Sequence, residues 1–123
     1  MATLNNRVFD NGLSVLDTEA NKITITSQEA ATYAEGNATY ALGSSTSLSI
    51  AAPSDRTGGG REVVVAEITD GSVSVGGTAT HYAILDTVNS RLLATGSLSA
   101  SQAVSAGNTF TLGSFTIGIP DPA

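Results

Sequence analysis

The side chains able to do acid–base, nucleophilic or metal chemistry are few in this chain. His81 is the only histidine and stands in a β-branched and aromatic run, Thr80-His81-Tyr82-Ala83-Ile84-Leu85. Any histidine acid, ligand or pH switch therefore falls on it. No second histidine is present to complete a metal pair, and no serine stands in a nucleophile-elbow context. Cysteine is absent, which removes disulfides, zinc–thiolate sites and cysteine nucleophiles together. The eleven acidic residues lie mostly in turn-forming stretches, where carboxylates serve as caps. A glycosidase needs two of them facing across a cleft. Calcium needs several to converge, as Asp17, Glu19 and Asp121 could, yet no EF-hand or repeat-type calcium pattern occurs. Gly58-Gly59-Gly60 is not followed by the Gly-Lys-Ser/Thr of a phosphate loop and reads as a flexible hairpin tip. Asn37-Ala38-Thr39 matches the glycosylation acceptor pattern, but no secretion signal accompanies it. The expectation is a protein with no catalytic residue, metal ligand or cofactor, in which His81 is structural.

Charged residues make up only 13% of the chain, against about a quarter in typical globular proteins. Ser, Thr, Gly and Ala fill the difference, a surface suited to packing against copies or neighbours. With three Phe, three Tyr and no Trp, the core must come mainly from Val, Ile, Leu and Ala. Eleven acidic and five scattered basic residues give a net charge of −6. Nucleic-acid binding needs a cationic footprint and is disfavoured. No apolar run approaches the ~20 residues of a membrane helix. The first residues lack a charged segment followed by an apolar one, so no signal peptide is expected. The protein is expected to stay in the cytoplasm where it is made, or to leave it in a particle.

These residues must be positioned by β-structure. Residues 78–119 predict consecutive strands, with a return at Asp86 to Ser90, a strand at Arg91 to Thr95 and a connection from Gly96 to Asn108. Apolar residues then alternate at 110 and 112 and again at 115, 117 and 119. The phase slips at Gly113-Ser114, as at a bulge or tight bend. Earlier, Lys22 to Thr26, Ser47 to Ile50 and Arg61 to Ile68 read as strands. Thr69 to Ser72 reads as a turn before Val73 and Val75. Ser27 to Ser45 reads as a long surface loop with one helical turn near Ala30 to Glu35, in which Tyr33 and Tyr40 either anchor the loop or stack on a sugar ring. Phe9, Leu13, Leu16 and Ala20 fall at helical spacing behind Asp10-Asn11. A hairpin pairing Leu13 and Val15 with Ile23 and Ile25 competes with that helix. The fold class expected is mainly β: an antiparallel β-sandwich of about seven short strands, with a short N-terminal helix or hairpin and extended terminal arms. Residues 1–8 form the arm, 9–119 a single domain and 120–123 a stiff tail.

Three stretches, His81 to Ala94, Ser101 to Thr109 and Ile117 to Pro122, resemble small structural proteins of tailed bacteriophages. That resemblance covers about the last third of the chain. It implies a non-enzymatic virion component: a capsid decoration (cement) protein bound to the major capsid protein or neighbouring virion proteins, or a tail- or fibre-associated protein. Copies would cluster as homo-oligomers, trimers first. Asn5, Arg7, Phe9 and Pro120 on the arms, Arg56 and Arg61, and Tyr33 and Tyr40 are the expected partner contacts. The alternative is an adsorption or carbohydrate-binding module using Tyr33, Tyr40 and the Gly58 to Gly60 tip.

Overall fold

The alternation of Ile23 and Ile25 with Thr24 and Thr26 makes Lys22–Thr26 a strand, β1, and the rest of its sheet is laid out on either side. The computed structural model describes residues 6–120, with side chains from residue 10 onward. In chain order the elements are a helix α1 (Asn6–Glu19), β1, a π-helical turn (Glu35–Thr39), β2 (Ala41–Ser45), β3 (Ser54–Asp55), β4 (Arg61–Val65), β5 (Ile68–Val73), β6 (Gly77–Asp86), β7 (Arg91–Val104), β8 (Thr109–Leu112) and β9 (Phe115–Ile119). The chain is mainly β, its strands gathered into two antiparallel sheets, one six-stranded and one three-stranded. The N-terminal alternative resolves to the helix. It takes in Asn6 to Val8, residues expected in the arm; the rest of that arm lies outside the described residues.

Two compact units form. One gathers the chain up to Glu19, Ser49–Glu67 and the chain from Gly113; the other gathers Ala20–Leu48 and Ile68–Leu112. In the first, β3, β4 and β9 pair in that order, and Ile50 bridges to Val65. Val63, Val65 and Ile50 are buried, as are Leu13 and Leu16 of α1. The helix lies on β4, and Gly12 comes close enough to Ile119 that an added Cβ would touch its Cδ1 at 3.8 Å. Asp17 and Glu19 occupy the last turn of α1 with no basic residue among them, unfavourable to the helix dipole. Its apolar stripe on β4 therefore has to hold it.

The second unit is the six-stranded sheet, in the order β7-β6-β1-β2-β5-β8. Its outer strands, β7 and β8, are consecutive in the chain, and only residues 105–108 join them. Across a flat sheet of six strands they would stand about 24 Å apart. Instead the connection is a tight turn, with the Asn108 amide donating to the Ser105 carbonyl at 3.1 Å. Gln102 Nε2 of β7 donates to the Thr111 carbonyl of β8 at 3.2 Å. The sheet is therefore curled so that its two edges approach at this end, a partly closed barrel.

Registers show what permits the curl. Gly96, Tyr82, Ile25, Gly43 and Val73 lie in one cross-strand row, and Gly71 pairs with Phe110 on the same face. A Cβ on Gly71 or Gly43 would run into the Phe110 ring, and one on Gly96 into Tyr82. Glycines under aromatic rings let the inner face close up while leaving no void.

The opposite face of β1 and β6 is covered as well. Gly36 of the π-helical turn sits against Ala83, Leu85 and Leu92. Thr24 Oγ1 donates to the Gly36 carbonyl at 2.7 Å, and Lys22 Nζ to Asn37 Oδ1 at 2.9 Å. With Ile23 and Ile25 on the inner face, all four residues Ile23 to Thr26 are buried.

Several sequence expectations are corrected here. Ser27 to Ser45 is not one loop, because its last five residues form β2. Ser47 to Ile50 is not a strand beyond the single Ile50 bridge. Thr69 to Ser72 does not turn the chain; β5 runs through it with a register irregularity between Ile68 and Gly71. Gly113-Ser114 is no bulge within one strand, since β8 and β9 belong to different sheets. Gly96 to Val104, expected as connection, is the second half of β7.

Candidate interaction surface

Arg61 opens β4, and its guanidinium gathers two carboxylates of the first unit. Nε and Nη2 donate to the two carboxylate oxygens of Asp10 at 2.9 and 3.3 Å. Nη1 donates to Asp55 Oδ1 at 2.7 Å, and Nη2 also to the Pro53 carbonyl at 3.2 Å. The bidentate fork ties α1 to β4 while the other bonds hold β3. These partners push the already high Arg61 pKa further up, hydrogen bonding to Asp10 first and to Asp55 next. Arg61 is thus taken up inside its own unit. Arg56 folds over the glycine tip: Nη1 donates to the Gly59 carbonyl at 3.0 Å, and its stem lies on Gly118. Gly58, Gly59 and Gly60 all have φ near +90°, which favours glycine and makes this a defined turn.

Of the other expected contacts, Tyr33 and Tyr40 are half-buried. Tyr40 bonds to the Glu35 carboxylate, which raises the phenol's pKa. Glu35 also accepts the Ala31 amide at 2.8 Å, the main reason its carboxyl lies below its usual value. Pro120 is exposed just past β9. Arg7 and Phe9 belong to α1, their side chains outside the described set, and Asn5 lies outside the described residues. The predicted residues thus divide between the units: Arg56, Arg61 and Pro120 in one, Tyr33 and Tyr40 in the other.

Further carboxylates are spent on turns. Asp86, 2% exposed, accepts the Val88 and Asn89 amides at 3.0 and 3.3 Å and Asn89 Nδ2 at 2.9 Å. Hydrogen bonding to Asn89 leads in holding its carboxyl below the usual range. Asn21 Oδ1 clasps the same turn from outside through the Thr87 amide and hydroxyl. Asp70 accepts the hydroxyls of Ser47 at 2.6 Å and Ser45 at 3.0 Å, which lower its pKa in that order. His81 is half-buried, with Nδ1 2.8 Å from Thr80 Oγ1. Among the described residues no group of three or more His, Cys, Asp and Glu could hold a metal ion. None of the described helices is long and apolar enough to cross a membrane.

The feature that sequence reasoning missed is β7 as a sheet edge. It runs for 14 residues and, among the described residues, pairs only with β6. From Leu92 to Val104 it carries no ionisable side chain and no proline. A signal was present: Leu98 and Ala100 alternate with Ser99 and Ser101, the period of two expected of a strand. Other edges are blunted. β3 has 2 residues and β8 has 4, with the Thr111 carbonyl already bonded to Gln102, and β9 runs into Pro120.

Compared with protein-family models, curated proteins and solved structures, the chain matches none.

Proposed function

We propose that this protein is a non-enzymatic structural component of a bacteriophage virion, a capsid decoration protein that stabilises the head by binding the major capsid protein. The observation that carries the reading is where the charge goes. Asp10, Asp55 and Arg61 satisfy one another, while Glu35, Asp70 and Asp86 are bound by neighbouring donors and held below their ordinary pKa. A general acid needs its carboxyl raised toward neutrality, the opposite of all three. Exposed Ser, Thr, Gly and Ala and the long strand β7, with no ionisable side chain of its own from Leu92 to Val104, are suited to contact with other proteins. The class is the one expected from the sequence of residues 81–94, 101–109 and 117–122. The adsorption reading draws less support, because Tyr40 is held by Glu35 and both tyrosine rings are half-buried.

The test is the copy number of this chain in purified particles, by quantitative mass spectrometry before and after tails are removed. Decoration predicts many copies retained on tailless heads. A handful of copies lost with the tails, or absence from particles, contradicts it.

A further inference from the structure

We propose that residues 27–34 form a pH-sensitive strap, latched to β6 by a hydrogen-bond relay that runs from His81 through Thr80 to the Ser27 carbonyl. Thr80 Oγ1 donates to the Ser27 carbonyl at 3.0 Å and stands 2.8 Å from His81 Nδ1. A hydroxyl has one hydrogen to give, and a carbonyl only accepts. With that hydrogen on Ser27, Nδ1 must carry its own and donate to Thr80. The imidazolium always does so, as a charge-assisted donor. The neutral ring has one hydrogen for two nitrogens. Kept on Nδ1, it donates less strongly; kept on Nε2, it turns Nδ1 into an acceptor that competes with Ser27 for the Thr80 hydrogen. Loss of the proton therefore slackens the latch.

The strap is otherwise lightly fastened. Residues 27–32 form neither helix nor strand. Apart from the relay and the bonds that lead into the π-helical turn, they are held by the Ser27 amide on the Tyr40 carbonyl at 3.0 Å, the Thr95 hydroxyl on Glu29 Oε1 at 3.3 Å and the burial of Ala30. Charges around His81 act in the same direction as the relay. Thr26 of β1 and Ser97 of β7 lie opposite it and are neutral. Lys22 stands at the far end of β1, bonded to Asn37, and β7 has no ionisable side chain from Leu92 to Val104. Tyr82, next on β6, faces the inner side, and Glu35 is engaged with the Ala31 amide and Tyr40. Glu29, the only carboxylate of the strap, is fixed to Thr95, one step from Ser97 on the same face. A charged His81 attracts it and a neutral one does not. The Thr26 hydroxyl beside His81 is buried with no partner among the described residues, a cost that opening of this face relieves. The latch thus contributes fully below the histidine range and is lost as pH rises through it.

The test is amide hydrogen exchange of the full chain, followed by NMR on either side of the histidine range, at about pH 5.5 and about pH 8, and corrected for intrinsic rates. Protection of the amides of residues 29–32 should fall about threefold or more at the higher pH, while those of Ile23 and Ile25 in β1 hold. Thr80→Ser keeps the hydroxyl and should keep the response. Thr80→Val removes it and should leave the strap as weakly protected at the lower pH as the parent chain is at the higher. His81 still titrates in Thr80→Val, which separates the relay from the bare charge. Strap protection that does not change with pH in the parent chain overturns the proposal. A response that survives Thr80→Val undiminished overturns it as well.

Discussion

The two units are held together by different means. In the first, a helix whose terminal charges oppose its dipole is fastened to a three-stranded sheet by one arginine that reaches Asp10, Asp55 and the Pro53 carbonyl. In the second, no comparable ion cluster is needed. β1 is buried on both faces, and aromatic rings lie on glycines along the curled inner face. Directional bonds suit a small core built from Leu13, Leu16, Ile50, Val63 and Val65, whereas shape complementarity suits a larger one. Damage should therefore be volume-dependent in one unit and geometry-dependent in the other.

The largest effect expected is at Phe110, 3% exposed. Phe110→Ala removes the ring over Gly43 and Gly71 and should cost about 3–5 kcal/mol in urea unfolding. A loss below about 1 kcal/mol would mean that the inner face re-closes without it. Next is Gly71→Ala, which drives a methyl into that same buried ring and should cost about 1–3 kcal/mol. A neutral result would deny that the glycine is needed for close approach.

Arg61→Lys sharpens the contrast, because one ammonium does not reproduce a fork that reaches two carboxylates and a carbonyl. Amides of α1 and of Arg61–Val65 should exchange faster while those of β1 and β6 hold. Uniform acceleration would erase the distinction between the units.

Acidification probes the turn carboxylates. The folded pKa values of Asp86, Asp70 and Glu35 lie below their usual ones. Their contribution is complete above the ordinary carboxylate range and is lost as pH falls through the lowered values, so stability should decline below about pH 4. Asp86→Asn should flatten part of that acid limb; an unchanged limb would assign it to other groups. The smallest effect is a gain. Gly12→Ala has room beside Ile119 and should stabilise the helix by about 0.5–1 kcal/mol, read from the thermal midpoint.

Much of this architecture is legible in the sequence where one face is apolar and the other polar. β1, β8 and β9 follow their alternation, β4 follows it from Arg61 only to Val65, short of the expected Ile68, and the Asp86 to Ser90 return follows its turn residues. Burial of Thr24 and Thr26 is not legible. Their polarity points to solvent, yet the Gly36 carbonyl takes the Thr24 hydroxyl, and the Thr26 hydroxyl is buried with no partner among the described residues. Nor does Gly96 read as strand interior, because the ring that covers it, Tyr82, lies on the neighbouring strand. Arg61 looks like an available surface cation until Asp10, far away in sequence, is seen to meet it. Long-range pairing decides each of these, and local pattern carries no trace of it.

The most direct test of the account is the salt dependence of binding when the purified chain is added back to particles that lack it. If the proposed decoration is made through neutral backbone and small side chains, saturation and affinity should change little between about 0.05 and 0.5 M salt. A collapse of binding at the higher salt would show that charged side chains make the contact, and would contradict it.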